Sequence, residues 1–327
     1  MDVFWVSPDG IGRHDPGELG PLLAREGGFV WIDIAQCDEQ AGAILREQLN
    51  VHPLAVQDCM SRSHVPKLRT YPDQLFLILH APLLGAAGHV HLLELDAFIG
   101  YRHLITVHGP FGEGVAVEEG LQETRYVQDR IANRGFRPKT PAELAHALGS
   151  AVVGRLEAFV SGLASKVAGL ERRIMTEDTG DPEEALEELF RVRHELLTVR
   201  TMASAGREVY ARMGSLAQFL PAEGRPFVED LVDRYERARS LCDGEKEFLD
   251  GVADFYQSRT TTKINIAMER LALIAAVVLP VSAISGVLGM NVISNSQTDF
   301  VWVAGLLAIM GTTMFFMLRW ARRHGWW

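Results

Sequence analysis

The sequence predicts an α+β membrane protein with three parts: an N-terminal α/β domain, long antiparallel helices, and a very long stalk helix that continues into the first of two C-terminal transmembrane helices. Three observations lead to this fold class. Two apolar, uncharged runs, 271–291 and 301–318, follow one another near the end of the chain, and about 20 apolar residues suffice for one bilayer crossing. Helical periodicity continues from Pro226 into the first run, and short β-rich runs lie within residues 1–139.

The overall composition hides this division. The chain has 327 residues, of which 47% are hydrophobic and 23% charged, and its formal net charge is -10. The acidic balance argues against nucleic acid as a partner. Cys37, Cys59 and Cys242 are far apart in the sequence and have no metal or redox spacing, which indicates a reduced, cytosolic setting for the part before Leu271. The first residues lack the basic start and long apolar core of a signal peptide.

Residues 1–139 are predicted to form the cytosolic α/β domain. Its β-rich runs at 29–34, 75–79, 92–98 and 104–107 are separated by Gly, Pro and Asp, and residues 39–59 have helical character. A cytosolic helical hairpin follows over 140–223. It is broken at Gly180-Asp181-Pro182, where Asp181 can cap the second helix and Pro182 can begin it.

Residues 224–290 are predicted to form one helix, the stalk and the first span together. Apolar or aromatic residues recur every three or four positions, and no Pro occurs between Pro226 and Pro280. At 1.5 Å per residue such a helix is roughly 90 Å long. Its membrane part is about 271–290, followed by an extracytoplasmic loop at 291–300, a second span at 301–319 and a cytosolic tail at 320–327.

Basic residues set the predicted orientation in the membrane. Lys263 and Arg270 precede the first span, and Arg319, Arg322 and Arg323 follow the second, whereas the loop between the spans has neither Lys nor Arg. The positive-inside rule therefore predicts that both termini are cytoplasmic, in an inner (plasma) membrane that the chain crosses twice.

One face of the first span and its approach carries small and polar side chains. They recur in steps of three and four, at Asn265, Met268, Ala272, Ala275, Leu279, Ser282 and Gly286. Two interpretations stay open: a packing seam, which small residues favour in lipid, or the lining of a pore to which each subunit contributes one helix. The polar members and the terminal Asn291 all carry neutral oxygens, and this favours the pore.

The first span ends in Gly289-Met290-Asn291, and with this motif the chain resembles the CorA family of magnesium transporters, where Gly-Met-Asn ends the first of two membrane helices. Leu279-Pro280 resembles the family's mid-helix Leu-Pro or Met-Pro, and residues 251–265 resemble its stalk segment. His64-Val65-Pro66-Lys67 with Tyr71, and Arg207-Glu208-Val209, also resemble family patterns. The resemblance spans about 31–318.

The resemblance implies a homopentameric funnel in membrane lipid that carries Mg²⁺, with Co²⁺ and Ni²⁺ as companions, and that is neither an enzyme nor dependent on an organic cofactor. It implies a pore entrance at Gly289, Met290 and Asn291. The implied pore lining is Asn265, Met268, Leu271, Ala272, Ala275, Leu279, Ser282 and Gly286, of which Met268, Leu271 and Leu279 narrow the pore.

Some positions depart from the family pattern. Leu288 stands where the family commonly has Tyr, and the loop after Asn291 holds a single acid, Asp299. Many members bind regulatory Mg²⁺ between an acid on the stalk and one on a neighbouring α/β domain. Asp230 fits the stalk position, with Asp233 one turn later, but the turn at 85–88 offers no acid. The two stalk acids are therefore either regulatory metal ligands or part of a solvated helix face.

Other constellations leave fewer options. His89 and His91 alternate at the start of a strand and would face the same side, either as zinc ligands or as exposed histidines. His194-Glu195 begins a zinc-protease-like pattern, but Thr198 replaces the second His, which removes that interpretation. Residues 109–114 lack phosphate-loop spacing, so an ATP-driven pump is disfavoured.

Two alternatives to a magnesium channel remain. One is a Zn²⁺ transporter of the same superfamily, against which Met290 counts because that branch usually has Gly-Ile-Asn. The other is a non-transporting scaffold or sensor anchored in the membrane by the hairpin.

Overall fold

A mixed sheet organises the first part of the chain. The computed structural model describes residues 1–85, 88–112, 114–175, 182–216, 224–289 and 300–323, and within them seven strands pair in the order β2-β1-β3-β7-β6-β5-β4. Strands β3 and β7 are parallel, and the other neighbouring strands are antiparallel. The strands are β1 (Asp2–Ser7), β2 (Gly10–His14), β3 (Phe29–Ile34), β4 (Lys67–Thr70), β5 (Gln74–Leu84), β6 (Val90–Gly100) and β7 (His103–His108).

The four strands predicted from the sequence are confirmed as β3, β5, β6 and β7, which are adjacent in the sheet interior. Every residue of β3 is buried, and all of them except Asp33 are apolar, as expected of a strand covered on both faces. Strands β1, β2 and β4 were not predicted. Strand β2 contains two glycines and lies at an edge with no buried residue, and β4 at the other edge is only four residues long.

Helices α1 (Leu19–Ala24), α2 (Glu39–Glu47) and α3 (Pro53–Met60) belong to the core on one face of the sheet. Helix α2 begins where the Asp38 carboxylate accepts a hydrogen bond of 2.7 Å from the Ala41 N–H, which satisfies one free donor of the first turn. Strands β1 and β3 approach closely at Gly28, where an added Cβ would lie 2.3 Å from the Val6 carbonyl oxygen. The helical character predicted for residues 39–59 is confirmed, since this region forms the two short helices α2 and α3.

Helix α6 (Pro141–Met175) packs against β5, β6 and β7, after α4 (Val117–Gly120) and α5 (Gln122–Ala132). Its sequence is apolar enough to cross a membrane, but 44% of its most apolar 18-residue window is buried within the protein. The apolar residues of α6 are therefore explained by packing on the sheet.

Three long helices form an antiparallel bundle beside the sheet: α6, α7 (Pro182–Gly214) and the first part of α8 (Arg225–Gly289). Lys166 pairs with Glu195 at 3.1 Å and Arg173 with Glu188 at 2.6 Å, so α6 and α7 run in opposite directions. Pairs between Arg207 and Glu236 at 2.8 Å and between Arg193 and Asp250 at 3.6 Å give the same relation for α7 and α8.

The chain divides into two compact units, residues 1–251 and 252–327. The first holds the sheet and the helical bundle. The second holds the rest of α8 and, at 300–323, helix α9 (Phe300–Arg323).

Candidate ion pathway

Two apolar helices make up the second unit. Helix α8 has no charged residue between Arg270 and its last residue, Gly289, and only 6% of its most apolar window is buried within the protein. Pro280 lies inside α8 and removes one backbone hydrogen bond without ending the helix. Helix α9 is uncharged before Arg319. Met290 and Asn291, predicted to form the entrance with Gly289, lie outside the described residues.

One face of the α8 membrane segment is covered within the protein. Val277 is 8% exposed, and Leu273, Val281 and Ile284 are half-buried. These four positions are three or four residues apart, so they share one side of the helix.

The implied pore lining, which consists of the stripe singled out from the sequence together with Leu271 and is called the stripe from here on, lies on the opposite side. At 100° per residue, its mean direction is about 180° from that of the covered face. Met268, Leu271 and Leu279 are 62%, 65% and 66% exposed, and the other described members are also exposed, namely Asn265, Ala272, Ala275, Ser282 and Gly286. The structure therefore keeps all eight side by side on a surface that a single copy of the chain leaves open.

The stripe changes character along its length. The stripe begins at the amide of Asn265. Bulky apolar side chains follow at Met268, Leu271 and Leu279, and Ser282 contributes a hydroxyl near the other end. From Asn265 to Gly286 the rise is about 32 Å, close to the thickness of a bilayer's hydrocarbon core. No member carries a charge, so the surface presents neutral oxygens and bulky apolar side chains.

The side chains on the two flanks of the stripe differ in size, and this difference was not predicted from the sequence. On one flank lie Ile274 and Val278, which are 58% and 51% exposed. On the other lie the exposed alanines Ala276 and Ala283. Bulky residues on one flank and small ones on the other are complementary when copies of the helix stand side by side in the same orientation.

The predicted regulatory acids lie at the start of α8. Asp230 Oδ2 is 3.2 Å from His146 Nε2, and the His146 ring stacks on Phe227 at 4.8 Å. Asp233 is exposed one turn later. Among the described residues, no three His, Cys, Asp or Glu side chains converge as a metal site.

The two histidines at the start of β6 are confirmed to lie on the same side. The His89 and His91 rings contact each other edge to face, with centroids 4.5 Å apart. Partial burial, followed by the nearby His89 and Arg62, lowers the pKa of His91. Within the described part of the chain this pair has no third metal ligand.

A buried acidic cluster in the first unit was missed from the sequence. Glu94 and Asp96 alternate within β6 and are 4% and 0% exposed. Burial, followed by the charge of Glu94, raises the pKa of Asp96 well above its usual range. Burial raises the pKa of Glu94 to about 7, although the Ser63 N–H donates a hydrogen bond of 2.6 Å to Glu94 Oε2. Two acids two residues apart within an apolar strand were the available signal, because alternate residues share a face.

Other groups pack around this cluster. His80 Nε2 donates to the Ser63 carbonyl oxygen at 2.7 Å, and burial lowers the pKa of His80. The Cys59 thiol is fully buried beside Asp96, and burial raises its pKa. The cluster is therefore held close to neutral, in contrast to the ion pairs of the helical bundle.

These features define a class: an integral membrane protein with an α/β domain, a stalk helix and two apolar helices near its end. Residues 26–323 match the family described as CorA-like Mg²⁺ transporter protein, and the chain belongs to this family. The family consists of ion transporters, so the chain is a transporter of divalent cations and not an enzyme.

Known relatives match over most of their length. The chain is 23% identical to YfjQ of Bacillus subtilis over 302 residues, 91% of this chain and 90% of that protein. It is 22% identical to the cobalt/magnesium transport protein CorA of Thermotoga maritima, over 86% of this chain and 78% of that protein. The structure of the CorA magnesium transporter from Methanocaldococcus jannaschii superposes with a TM-score of 0.83 at 17% identity, covering 100% of this chain and 99% of the other. The predicted fold class of the chain is confirmed.

Proposed function

We propose that the chain forms a homopentameric channel for Mg²⁺ influx, with Co²⁺ and Ni²⁺ as further substrates. The observation that carries this proposal is the exposed stripe of α8, whose eight described members lie about 180° from the covered face of the same helix. One α8 from each subunit would place this stripe around a central pore. The Thermotoga maritima relative is a cobalt/magnesium transport protein, and this similarity supports the choice of ions.

The unequal flanks of the stripe support a closed ring over a two-fold dimer. A ring places the same two different surfaces together at every interface, whereas a two-fold dimer places one surface against itself. Ile274 and Val278 of one copy would pack against Ala276 and Ala283 of the next. Small residues at such an interface allow close approach of helices in lipid.

Asn291 is proposed to form the outer ring, with Gly289 and Met290 setting its position. Mg²⁺ loses its bound water reluctantly, so an entrance that hydrogen-bonds the hydrated ion avoids the cost of dehydration. Five amide oxygens can do this without the tight binding that a ring of carboxylates would produce.

Transport is proposed to be passive and gated. A charge gains about 2.3 kcal/mol per 100 mV of membrane potential, so a divalent cation gains roughly twice that on entering a negative interior. Met268, Leu271 and Leu279 would form the gate, because a narrow apolar constriction closes by excluding water. Pro280 follows the last of these and allows the helix to bend there.

The proposed topology places both termini in the cytoplasm and the protein in the inner (plasma) membrane. Residues 1–139 and 140–223 would be cytosolic, 271–290 and 301–319 would cross the bilayer, and 291–300 would face outward. The absence of Lys and Arg from that loop supports this orientation. Asp230 and Asp233 are proposed as a regulatory Mg²⁺ site completed by a neighbouring subunit.

Uptake of Mg²⁺ into liposomes containing the purified protein tests the proposal. Asn291→Ala is expected to abolish uptake with the pentameric mass retained, because the ring of amide oxygens at the entrance is removed. Asn295→Ala is the matched control, since it removes an amide from the same loop without touching the tripeptide. Unchanged flux in Asn291→Ala would contradict the proposal.

The same liposomes distinguish the remaining alternatives. Mg²⁺ uptake is expected without a pH gradient. Zn²⁺ uptake that requires a pH gradient would identify a zinc transporter instead. A dimeric mass with no flux of either ion would favour a membrane-anchored scaffold.

A further inference from the structure

A groove on the surface of α8 lies just before the membrane span. It is lined by Lys263, Ile266, Ala267, Arg270 and Leu271. Ile266 and Leu271 are 44% and 65% exposed, and both basic residues are also exposed. The groove therefore combines two positive charges with an apolar floor.

The two basic residues of this groove have no ion-pair partner among the described residues. Elsewhere on α8, Arg234 pairs with Glu157 at 2.6 Å and Lys246 with Asp250 at 2.8 Å. The acid nearest to the groove in sequence, Glu269, points about 100° around the helix from Arg270. Two exposed cations without a protein counter-charge are complementary to an anion from outside the chain.

The two basic residues of the groove point away from the proposed pore, whereas Leu271, at the edge of the groove, also belongs to the proposed pore lining. At 100° per residue, Lys263 and Arg270 lie within about 20° of each other and about 150° from the mean direction of the stripe. Both side chains are exposed in a single copy of the chain, and their charges would be directed away from the path of a cation.

The dimensions of the groove match the edge of a bilayer. Lys263 and Arg270 are about 10 Å apart along the helix axis, and each headgroup region of a bilayer is roughly 5–8 Å deep. Leu271 begins the uncharged run. An amphipathic molecule whose phosphate contacts the two cations would place its acyl chains beside the apolar span.

We propose that the Lys263–Arg270 groove binds the phosphate headgroup of an anionic phospholipid from the leaflet on the side of the chain's basic ends. Arg319, Arg322 and Arg323 of α9 raise the positive charge on that side of the membrane. The site is independent of which ion the protein transports. Lipid binding at this site links the position at which the first span enters the bilayer to the lipid composition of the membrane.

A lipid-binding assay tests the proposal. The full-length protein is purified in neutral detergent and delipidated, and its binding of fluorescent phosphatidylglycerol is measured. Fluorescent phosphatidylcholine, whose headgroup has no net charge, is the comparison probe. Lys263→Gln with Arg270→Gln is expected to weaken phosphatidylglycerol binding about thirtyfold, and each single change about fivefold, because each cation near an anionic headgroup contributes about 1 kcal/mol. Phosphatidylcholine binding is expected to stay unchanged.

Arg225→Gln with Arg237→Gln is the matched control. It removes the same charge from exposed positions of the same helix and is expected to bind phosphatidylglycerol like the wild type. The double change Lys263→Arg with Arg270→Lys keeps both charges and is expected to bind phosphatidylglycerol like the wild type. This variant tests the role of the two charges even if the neutral variant fails to fold.

Three results would overturn the proposal. The first is wild-type phosphatidylglycerol binding in the folded neutral variant. The second is loss of binding in the charge-preserving swap. The third is displacement of the lipid by millimolar inorganic phosphate alone, which would identify a site for free anions.

Discussion

The two units of this protein differ in how far a single copy of the chain covers their apolar side chains. In the first unit, the sheet is covered on both faces, and charged side chains of the bundle find acids or bases within the same chain. In the second unit, bulky apolar side chains such as Leu271, Leu279 and Phe316 are more than 60% exposed. A single copy of the chain thus covers most of the apolar side chains of the first unit and leaves many of those of the second unit exposed, as expected of a part that lies in lipid.

This difference also separates structural residues from transport residues. A side chain buried within one copy, such as Phe76, contributes to folding whatever surrounds the protein. A side chain that one copy leaves exposed, such as Leu279, contributes little to the folding of that copy and is available for contact with lipid, another copy or an ion. Substitutions in the two units should therefore affect different measurements.

The largest effect is expected from filling the small flank of the α8 stripe. Ala276→Phe with Ala283→Phe should prevent ring assembly and reduce Mg²⁺ uptake to the level of protein-free liposomes, because the added rings occupy the space of the neighbouring helix. Light scattering gives the oligomer mass, and liposome uptake gives the flux. Ala276→Ser with Ala283→Ser keeps the flank small and should assemble normally. A pentamer with full flux in the Phe variant would show that this flank does not face another subunit.

A change in the covered core of the first unit should affect folding and leave assembly surfaces intact. Phe76→Ala is expected to lower the free energy of unfolding by about 3–5 kcal/mol, because Phe76 is fully buried and stacks on Phe98 at 4.5 Å. Urea unfolding of the full chain in detergent, followed by circular dichroism, measures the change.

Phe190→Ala is the matched control for this core substitution. Phe190 is 66% exposed, so its loss should change the free energy of unfolding by no more than about 0.5 kcal/mol. Equal effects of the two substitutions would mean that Phe190 is covered in the assembled protein.

The buried acids of β6 should make the first unit less stable as the pH rises. The folded pKa of Glu94 is about 7, above its value in an unfolded chain, so the folded state binds more protons between about pH 4.5 and 7. The stabilisation is complete below pH 4.5 and is lost as the pH rises through 7, and it amounts to about 3 kcal/mol. Asp96, whose pKa is also raised by burial, adds to the loss of stability as the pH rises.

Urea midpoints at pH 5 and pH 7.5 measure this dependence. Glu94→Gln should flatten it, because the glutamine cannot ionise, whereas Glu47→Gln, at an exposed position of α2, should leave the pH dependence unchanged. A steep dependence that persists in Glu94→Gln would assign the effect to Asp96 alone.

The sequence predicted those parts of the fold that local patterns determine. Strand β3 is buried throughout, and its residues are apolar except for Asp33, so its sequence predicts a strand. The helical period of α8 is visible because apolar residues recur every three or four positions along it. Edge strand β2 was missed because it buries nothing and contains two glycines. Glu94 was missed because its neighbours come from β5 and from the segment before β4, far away in sequence.

The candidate pathway was only partly predictable for a related reason. Spacing alone places Asn265, Leu279 and Gly286 on one side of a helix, but it does not say whether that side is covered. The burial of Val277 supplied that information, since it identifies the opposite face as the one that the chain itself covers. The size difference between the flanks depends on knowing this direction, so it too required the structure.

The smallest effect on Mg²⁺ uptake is expected from truncating one of two neighbouring residues of α8. The two are similarly exposed, but their side chains point in different directions around the helix. Leu279 and Val278 are 66% and 51% exposed and point about 100° apart around α8. Leu279→Ala should raise Mg²⁺ uptake severalfold, because a wider apolar constriction is more easily filled by water. Val278→Ala removes a side chain of comparable size from the flank and should leave the flux per pentamer unchanged. Equal increases in both variants would contradict the assignment of Leu279 to the pore and indicate loosened packing, which a lower thermal midpoint of the pentamer would reveal.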